Sequence, residues 1–439
     1  MDNFTNLNET IETQNPMTDP VVEMNETVEE IKEPVAEIKE PVVTEKDKIK
    51  EMRKYYANPL WKLLICLVTI DVIQVILIVA FIIVLAIVQV LILKQPFNFA
   101  PYQGHFTYIA LAISDLIGMV VFILLTLKND KTKIHEYKRL SFGKWLWMLL
   151  CSYGVLGIGM IIGSITTKIV YLPFNVLEIL INGQIANATL PFKGLFAAGG
   201  NSIGELMTMN RSWSFVFLGV LVVGILAPIV EEIIFRKLLI DNMSKYGIVA
   251  SVTISAFLFG LFHGNLAQFF YAWALGIIFG FVYVYTGKII YTILLHMSVN
   301  LVSSGIIVVV YNMVNVENTS RIFEDLFRLV TDGSISMEAY THKVWAIMSA
   351  DIFGSMIAPL LYLIIICAYY GFMFIGFIFL IVFIIKHVKN RNQLVKGVKK
   401  SGLAAFTNWA GILVMVFCGS MFVLTFLANA IGSLTALLS

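Results

Sequence analysis

The chain has 439 residues, 58% of them hydrophobic and only 14% charged. Soluble domains are about 45–50% apolar and about 25% charged, so a soluble globular class is excluded. The net charge of +2 is unevenly spread, with twelve acids against Lys32 and Lys39 in residues 1–45, and no basic groove with interleaved aromatics points to a nucleic-acid partner.

From the N-terminus, residues 1–58 are polar, acidic and poor in aromatics, a composition that cannot bury enough surface to fold alone. Within them Ile31-Lys-Glu-Pro-Val35 recurs as Ile38-Lys-Glu-Pro-Val42. This is a low-complexity segment, read as a disordered cytoplasmic spacer or docking tail. It lacks the basic start and short apolar core of a secretory signal, so the first anchor is expected near Trp61.

About nine spans follow (eight to ten), an all-α polytopic transmembrane bundle. They are expected near Leu63–Leu93, Phe106–Leu127, Trp145–Thr166, Trp213–Ile240, Ile248–His263, Phe269–Thr286, Ile289–Met313, Phe353–Ile385 and Ala404–Leu438. The eighth contains Pro359 and Gly371 and has the length for two segments. The expected organisation is a tail (1–58), N-terminal spans with an outer amphipathic segment (59–212), a four-span core (213–312), an outer loop (313–344) and C-terminal spans (345–439). Lys and Arg set the orientation: six precede the first span, six lie between Lys128 and Lys144, and six between Lys386 and Lys400. The longer segments 168–212 and 313–344 carry three each. The positive-inside rule then places the N-terminus in the cytoplasm and the two long segments outside.

Cys66, Cys151, Cys367 and Cys418 stand singly in apolar runs without metal-ligand or redox spacing, as small packing residues do. Ionisable residues inside a span are different. Each costs at least ~2.5–3.5 kcal/mol to insert and is a functional-site hypothesis by default. The richest set is Ala227-Pro-Ile-Val-Glu231-Glu232-Ile-Ile-Phe-Arg236, then Phe259-Gly-Leu-Phe-His263, then His296-Met-Ser-Val-Asn300. Glu232 and Arg236 stand at i,i+4 with the acid first, the favourable order for an ion pair on one helix face. That leaves Glu231, about 100° around the helix, aimed elsewhere, with His263 its expected companion. His296 and Asn300 also share one face. Asp71, Asp115 and Asp351 have no partner in sequence and read as helix-contact or cavity-lining groups.

Such a group has a narrow chemistry. A carboxylate beside a histidine in a low-dielectric cavity takes a proton from water. A second histidine and an amide then donate hydrogen bonds to the oxyanion formed when that water attacks a carbonyl. Alternatively Glu231, His263 and His296 hold a Zn2+ ion that activates the water. Both are amide hydrolysis. Structural alternatives stand beside them: an internal Glu232–Arg236 ion pair that only joins helices, His263 at the outer interface, and His296 with Asn300 as interhelical glue. A transporter with buried coupling acids is a further class, although the inverted repeats it calls for are absent from the sequence.

The three motifs, Glu-Glu-x-x-x-Arg, Phe-x-x-x-His and His-x-x-x-Asn on successive spans, resemble those of the CPBP family. That family comprises CAAX proteases and bacteriocin-processing or self-immunity proteins. The resemblance covers about residues 213–312. It implies a membrane-embedded endopeptidase in which Glu231 and His263 activate the water and His296 and Asn300 form the oxyanion site. Glu232 and Arg236 give structural support, and the mechanism is either metal-free or zinc-bound. It further implies a peptide or lipid-anchored protein as substrate, or a non-catalytic immunity or scaffold role on the same fold. Where family members have glycine after the arginine, this chain has Lys237. Composition rich in Ile, Lys and Asn is in keeping with a bacterial cell membrane. The sequence says nothing of oligomeric state.

Overall fold

The computed structural model describes residues 44–99, 101–129, 138–182, 212–331, 333–388 and 400–438. The tail through residue 43, the outer segment 183–211 and most of the 386–400 loop lie outside these. Among the described residues all regular structure is helical, and seven helices are long and apolar enough to cross a membrane. They are α1 (Glu45–Ile92), α2 (Gln103–Thr126), α3 (Phe142–Asn182), α4 (Trp213–Tyr246), α6 (Leu266–Thr286), α7 (Ile289–Met313) and α10 (Ala358–Val388, led in by a turn at Phe353–Ile357). Two further apolar helices stand at the remaining expected positions, α5 (Ile248–Phe262) and α12 (Trp409–Leu438, of which Trp409–Leu424 is the apolar stretch), the latter preceded by the single turn and a half of α11 (Ser401–Phe406). The protein is a polytopic helical bundle.

Three boundaries depart from expectation. Helix α1 begins at Glu45, so residues 45–58 are not part of an unstructured tail. They are held because Met52 and Tyr56 are buried in the main core. In addition, the Tyr246 hydroxyl donates to Glu51 (2.6 Å), and the Tyr55 and Tyr246 rings meet edge to face. Helix α10 runs unbroken past Gly371, and Pro359 comes just after the wide π-type turn Phe353–Ile357, where the regular ladder of helical hydrogen bonds is already interrupted. The expected outer loop 313–344 is a helical hairpin, α8 (Val316–Thr331) and α9 (Met337–Ala350). An isolated turn of polar chain would leave its backbone unpaired, and helices satisfy it internally.

The bundle has two main cores, which meet at Tyr271 of α6. One joins Leu60, Leu63 and Leu67 of α1, Phe122 of α2, Phe235 and Leu239 of α4, Leu258 and Phe259 of α5, and Val414 and Cys418 of α12. The other joins Tyr153 and Leu156 of α3, Leu275 and Phe279 of α6, Leu295 and Val299 of α7, and Tyr369 and Met373 of α10. Lipid gives no hydrophobic drive between helices, so close backbone approach at small residues does this work. At the α3–α10 crossing a Cβ on Gly154 would overlap the backbone of Gly376. Outward faces remain apolar, as at Ile76, Ile83 and Leu91 of α1 and Leu363, Ile364 and Phe374 of α10. Those are lipid-facing positions.

The hairpin is fastened where α7 ends and α10 begins. The Asn315 amide N–H donates to the Gly354 carbonyl (2.7 Å), and the Asn315 side chain to Asp351 (3.1 Å). The other Asp351 oxygen accepts from the Gly354 N–H (2.8 Å). Asp351, unassigned from sequence, is therefore the cap that turns the chain into α10. The Gly354 N–H, and after it Asn315, hold its carboxyl below the ordinary aspartate value.

Two outcomes follow from this packing. Gly154→Leu should cost about 1–3 kcal/mol through overpacking at α3–α10, read from the unfolding midpoint in detergent. Gly371→Ala, which meets no atom within 4 Å, should change stability by less than about 0.5 kcal/mol. The Asp351 link is present at neutral pH and is lost as pH falls through the lowered value, below the usual ~3.9. Hydrogen exchange of α8 and α9 should lose protection below that pH in the wild type, and Asp351→Ala should show the loss already at pH 7.

Candidate active site

Helix α4 supplies the acids. Ser212 caps its start by accepting from the Phe215 N–H (3.3 Å). Ala227–Glu232 is a short α-helical stretch between two wide π-type segments, Val220–Leu226 and Ile233–Ile240. A third such segment, Leu301–Ile306, follows Asn300 on α7. Wide turns of this kind recur at functional sites, and here they flank both polar motifs.

Glu232 and Arg236 are fully buried, and Arg236 Nε lies 3.2 Å from Glu232 Oε2. The other Glu232 oxygen, Oε1, accepts from His296 Nδ1 on α7 (3.0 Å). Glu232 is thus held from both sides. The guanidinium rests on the Phe259 ring, 4.2 Å from its centroid, with the Phe279 centroid at 5.6 Å. Gly276 of α6 provides the space, since a Cβ there would come within 3.3 Å of Arg236 Nη2. Neither Nη1 nor Nη2 has a hydrogen-bond acceptor among the described residues, so the ion pair and the aromatic faces carry the charge. A desolvated cation–π contact contributes about 2 kcal/mol.

Glu231 is the accessible one of the two acids: its side chain is 14% exposed, and that of Glu232 is 0%. Its nearest basic group is His296, with Nε2 3.6 Å from Glu231 Oε2, just beyond a direct hydrogen bond. His296 therefore stands between both carboxylates. Glu231 and His263 are not joined by a hydrogen bond or ion pair, and the direct neighbour of Glu231 is His296.

His263 closes α5. Its Nδ1 lies 2.8 Å from the Phe259 carbonyl; a carbonyl only accepts, so Nδ1 carries the proton and Nε2 of the neutral ring offers a lone pair. Gly264, at φ +58°, makes the turn that stops the helix. With 15 residues, α5 spans only about 22 Å of a ~30 Å hydrocarbon layer. The Phe259 ring meets both histidines edge-on, at 4.9 Å from His263 and 5.7 Å from His296. Phe259 is thus the hub of the site, touching His263, His296 and Arg236.

Asn300 donates one amide hydrogen to the Val223 carbonyl in the wide turn of α4 (3.0 Å), leaving its second for another acceptor. Lys237, at the departure from the family pattern, pairs with Asp241 (2.9 Å) and donates to the Tyr283 hydroxyl of α6 (3.1 Å). The lysine thereby joins α4 to α6 without entering the site.

The structure thus brings Glu231, Glu232, Arg236 and His296 into direct contact, sets His263 beside them across Phe259, and turns Asn300 towards the α4 backbone. Phe259 and Asp115 were missed as site residues from sequence. Asp115 of α2 is 5% exposed, has no hydrogen-bond partner for Oδ1, and lies within electrostatic reach of Glu231 and Asp71. The signal was its charge inside a span; its direction was not readable. Among the described residues no three His, Cys, Asp or Glu side chains are grouped to hold a metal ion. Glu231, His263 and His296 as placed therefore do not form a zinc donor set.

A polytopic bundle with a carboxylate–histidine cluster buried between its central helices is the architecture of a membrane-embedded enzyme. Residues 212–302, which contain every residue of the cluster contributed by α4, α5 and α7, match the family described as Type II CAAX prenyl endopeptidase Rce1-like. The match covers about a fifth of the chain, which in this part is similar to CAAX-type membrane endopeptidases. No curated protein and no solved structure matches the chain.

The unequal roles of the charged residues can be measured. Arg236→Met leaves Glu232 buried without its cation and should cost about 3–5 kcal/mol, read as a lowered unfolding midpoint. Glu231→Gln, at the accessible acid, should cost less than about 1 kcal/mol. Equal losses would contradict the division between supporting and reacting acids.

Proposed function

We propose that the protein is a membrane-embedded endopeptidase in which Glu231, assisted by His263, activates water against a peptide bond of a membrane-associated peptide or lipid-anchored protein. The observation that carries this reading is the asymmetry of the two acids. Glu232 is immobilised by Arg236 and His296, and Glu231, one residue away, keeps an accessible carboxylate. An acid whose basic neighbour, His296, lies just beyond hydrogen-bond distance is the one placed to exchange a proton.

In this mechanism Glu231 takes one proton as the water oxygen bonds to the peptide carbon. His263, through the lone pair on Nε2, orients the same water. The second amide hydrogen of Asn300, with His296, faces the oxyanion, the term that commonly lowers the barrier most. Glu231 returns its proton to the leaving nitrogen, the C–N bond breaks, and an acid and an amine are released. Glu232 and Arg236 act by holding His296. No step is drawn through a metal, because the donor set does not converge.

The test is cleavage of an internally quenched prenylated CAAX peptide by the purified protein in lipid nanodiscs. Glu231→Ala and His263→Ala should each lose about 10²–10⁴-fold in rate with an unchanged unfolding midpoint. Full activity in either variant would overturn the assignment. A rate that falls on chelation and returns with Zn2+ would overturn the metal-free mechanism. Bacteriocin protection that survives Glu231→Gln would point instead to a binding role for the same fold.

A further inference from the structure

The α8–α9 hairpin lies outside the matched domain and contributes nothing to the site, yet α8 is the most sharply two-faced helix of the protein. On a helical projection at 100° per residue, its side chains fall into three sectors. Asn318, Ile322, Asp325 and Leu329 form the half-buried face, and Asp325 is bridged to Lys343 of α9 (3.1 Å). Glu317, Arg321, Glu324 and Arg328 form a charged face. Across from that charged face, Phe323 (64% exposed), Phe327 (68%) and Val330 (75%) project outward with Leu326 (38%). Four large apolar side chains in one stripe form a patch that a water-facing surface does not carry without a partner. On α9, Met337 and Trp345 are also exposed, at 63% and 71%.

The fastening of the hairpin selects the occupant. Only Val314 and Asn315 separate α8 from the end of α7, and only Asp351 and Ile352 separate α9 from the lead-in turn of α10. Two extended residues reach about 7 Å, so both ends of the hairpin are held at the level where two spanning helices leave the bilayer. The Asn318 side chain adds a bond to Ser355 (3.2 Å). At the start of α10, Ile352, Phe353 and Ile357 are exposed as well. An amphipathic helix with a charged face, a Phe/Leu face and a flanking Trp, tethered at that height, has the composition of helices that lie in the membrane interface.

We propose that the α8–α9 hairpin lies on the bilayer, with Phe323, Leu326, Phe327 and Val330 inserted among the lipid acyl chains and the Glu317–Arg328 face turned to water. This surface is a lipid-binding element of the non-cytoplasmic side in the positive-inside orientation, the same side on which the His263 turn joins α5 to α6. Covering the stripe with lipid removes from water an apolar area that no protein helix shields.

Replacing Phe327 or Arg328 by p-benzoylphenylalanine in the otherwise unaltered full chain, reconstituted in phosphatidylcholine vesicles and irradiated, tests this directly. Mass spectrometry of the α8 peptide should find phosphatidylcholine adducts at position 327 and none at 328. Crosslinking of 327 to a second copy or to another segment of the chain would overturn the proposal. So would the absence of any adduct at 327, or equal lipid adducts at both positions. The readout needs no substrate and no enzymatic activity, so it stands or falls independently of the peptidase reading.

Discussion

The constraint on which the site depends is that the charges of α4 must be compensated where they lie. An ionised side chain in a bilayer reaches no water, and removing one member of a buried pair leaves the other at full cost. Arg236 is neutralised by Glu232 and by two aromatic faces, and Glu232 by Arg236 and His296. These contacts join three helices: α4 brings both charges, α7 the imidazole, and α5 the ring under the guanidinium. The helices cannot separate without exposing a charge to lipid.

The rest of the bundle is fitted around that joint. Gly276 brings α6 against the arginine, and the edge of Phe259 passes the order of one helix to the histidines of two others. Two adjacent acids then take different parts without any difference in chemistry between them. One is consumed in holding the structure. The other, a step further round the same helix, keeps an accessible carboxylate.

Much of this was legible in the chain. Apolar length alone located the nine helices, because a bilayer imposes that length regardless of tertiary detail. Spacing within one helix also sufficed for Glu232 and Arg236, since i,i+4 contacts are local. What was not legible depends on rotation and on partners distant in sequence. That His296 is the direct neighbour of Glu231 turns on how α7 is rotated against α4. Phe259 is visible in sequence as the first residue of its motif but not as the ring beneath Arg236 and beside both histidines, and Asp115 is an isolated charge until α2 is packed. The two-faced pattern of Val316–Thr331 was present in the sequence but sits in a segment too polar to register as a span. The helical start at Glu45 needed Tyr246, two hundred residues away, to be seen.

The wide segments of α4 carry a further implication. A helix whose hydrogen bonds run i to i+5 holds more residues than its length requires, and Ile233–Ile240 is such a stretch directly below the acids. It acts as slack in the thread of the helix. The phase of Glu231 and Glu232 is therefore uncoupled from that of Asp241 and the turn at Ser244–Tyr246, and the two ends of this stretch are free to drift apart in evolution. A single-residue deletion inside that stretch is one the helix has room to absorb by tightening to ordinary α turns, whereas the same deletion within Ala227–Glu232 would swing both acids away from His296.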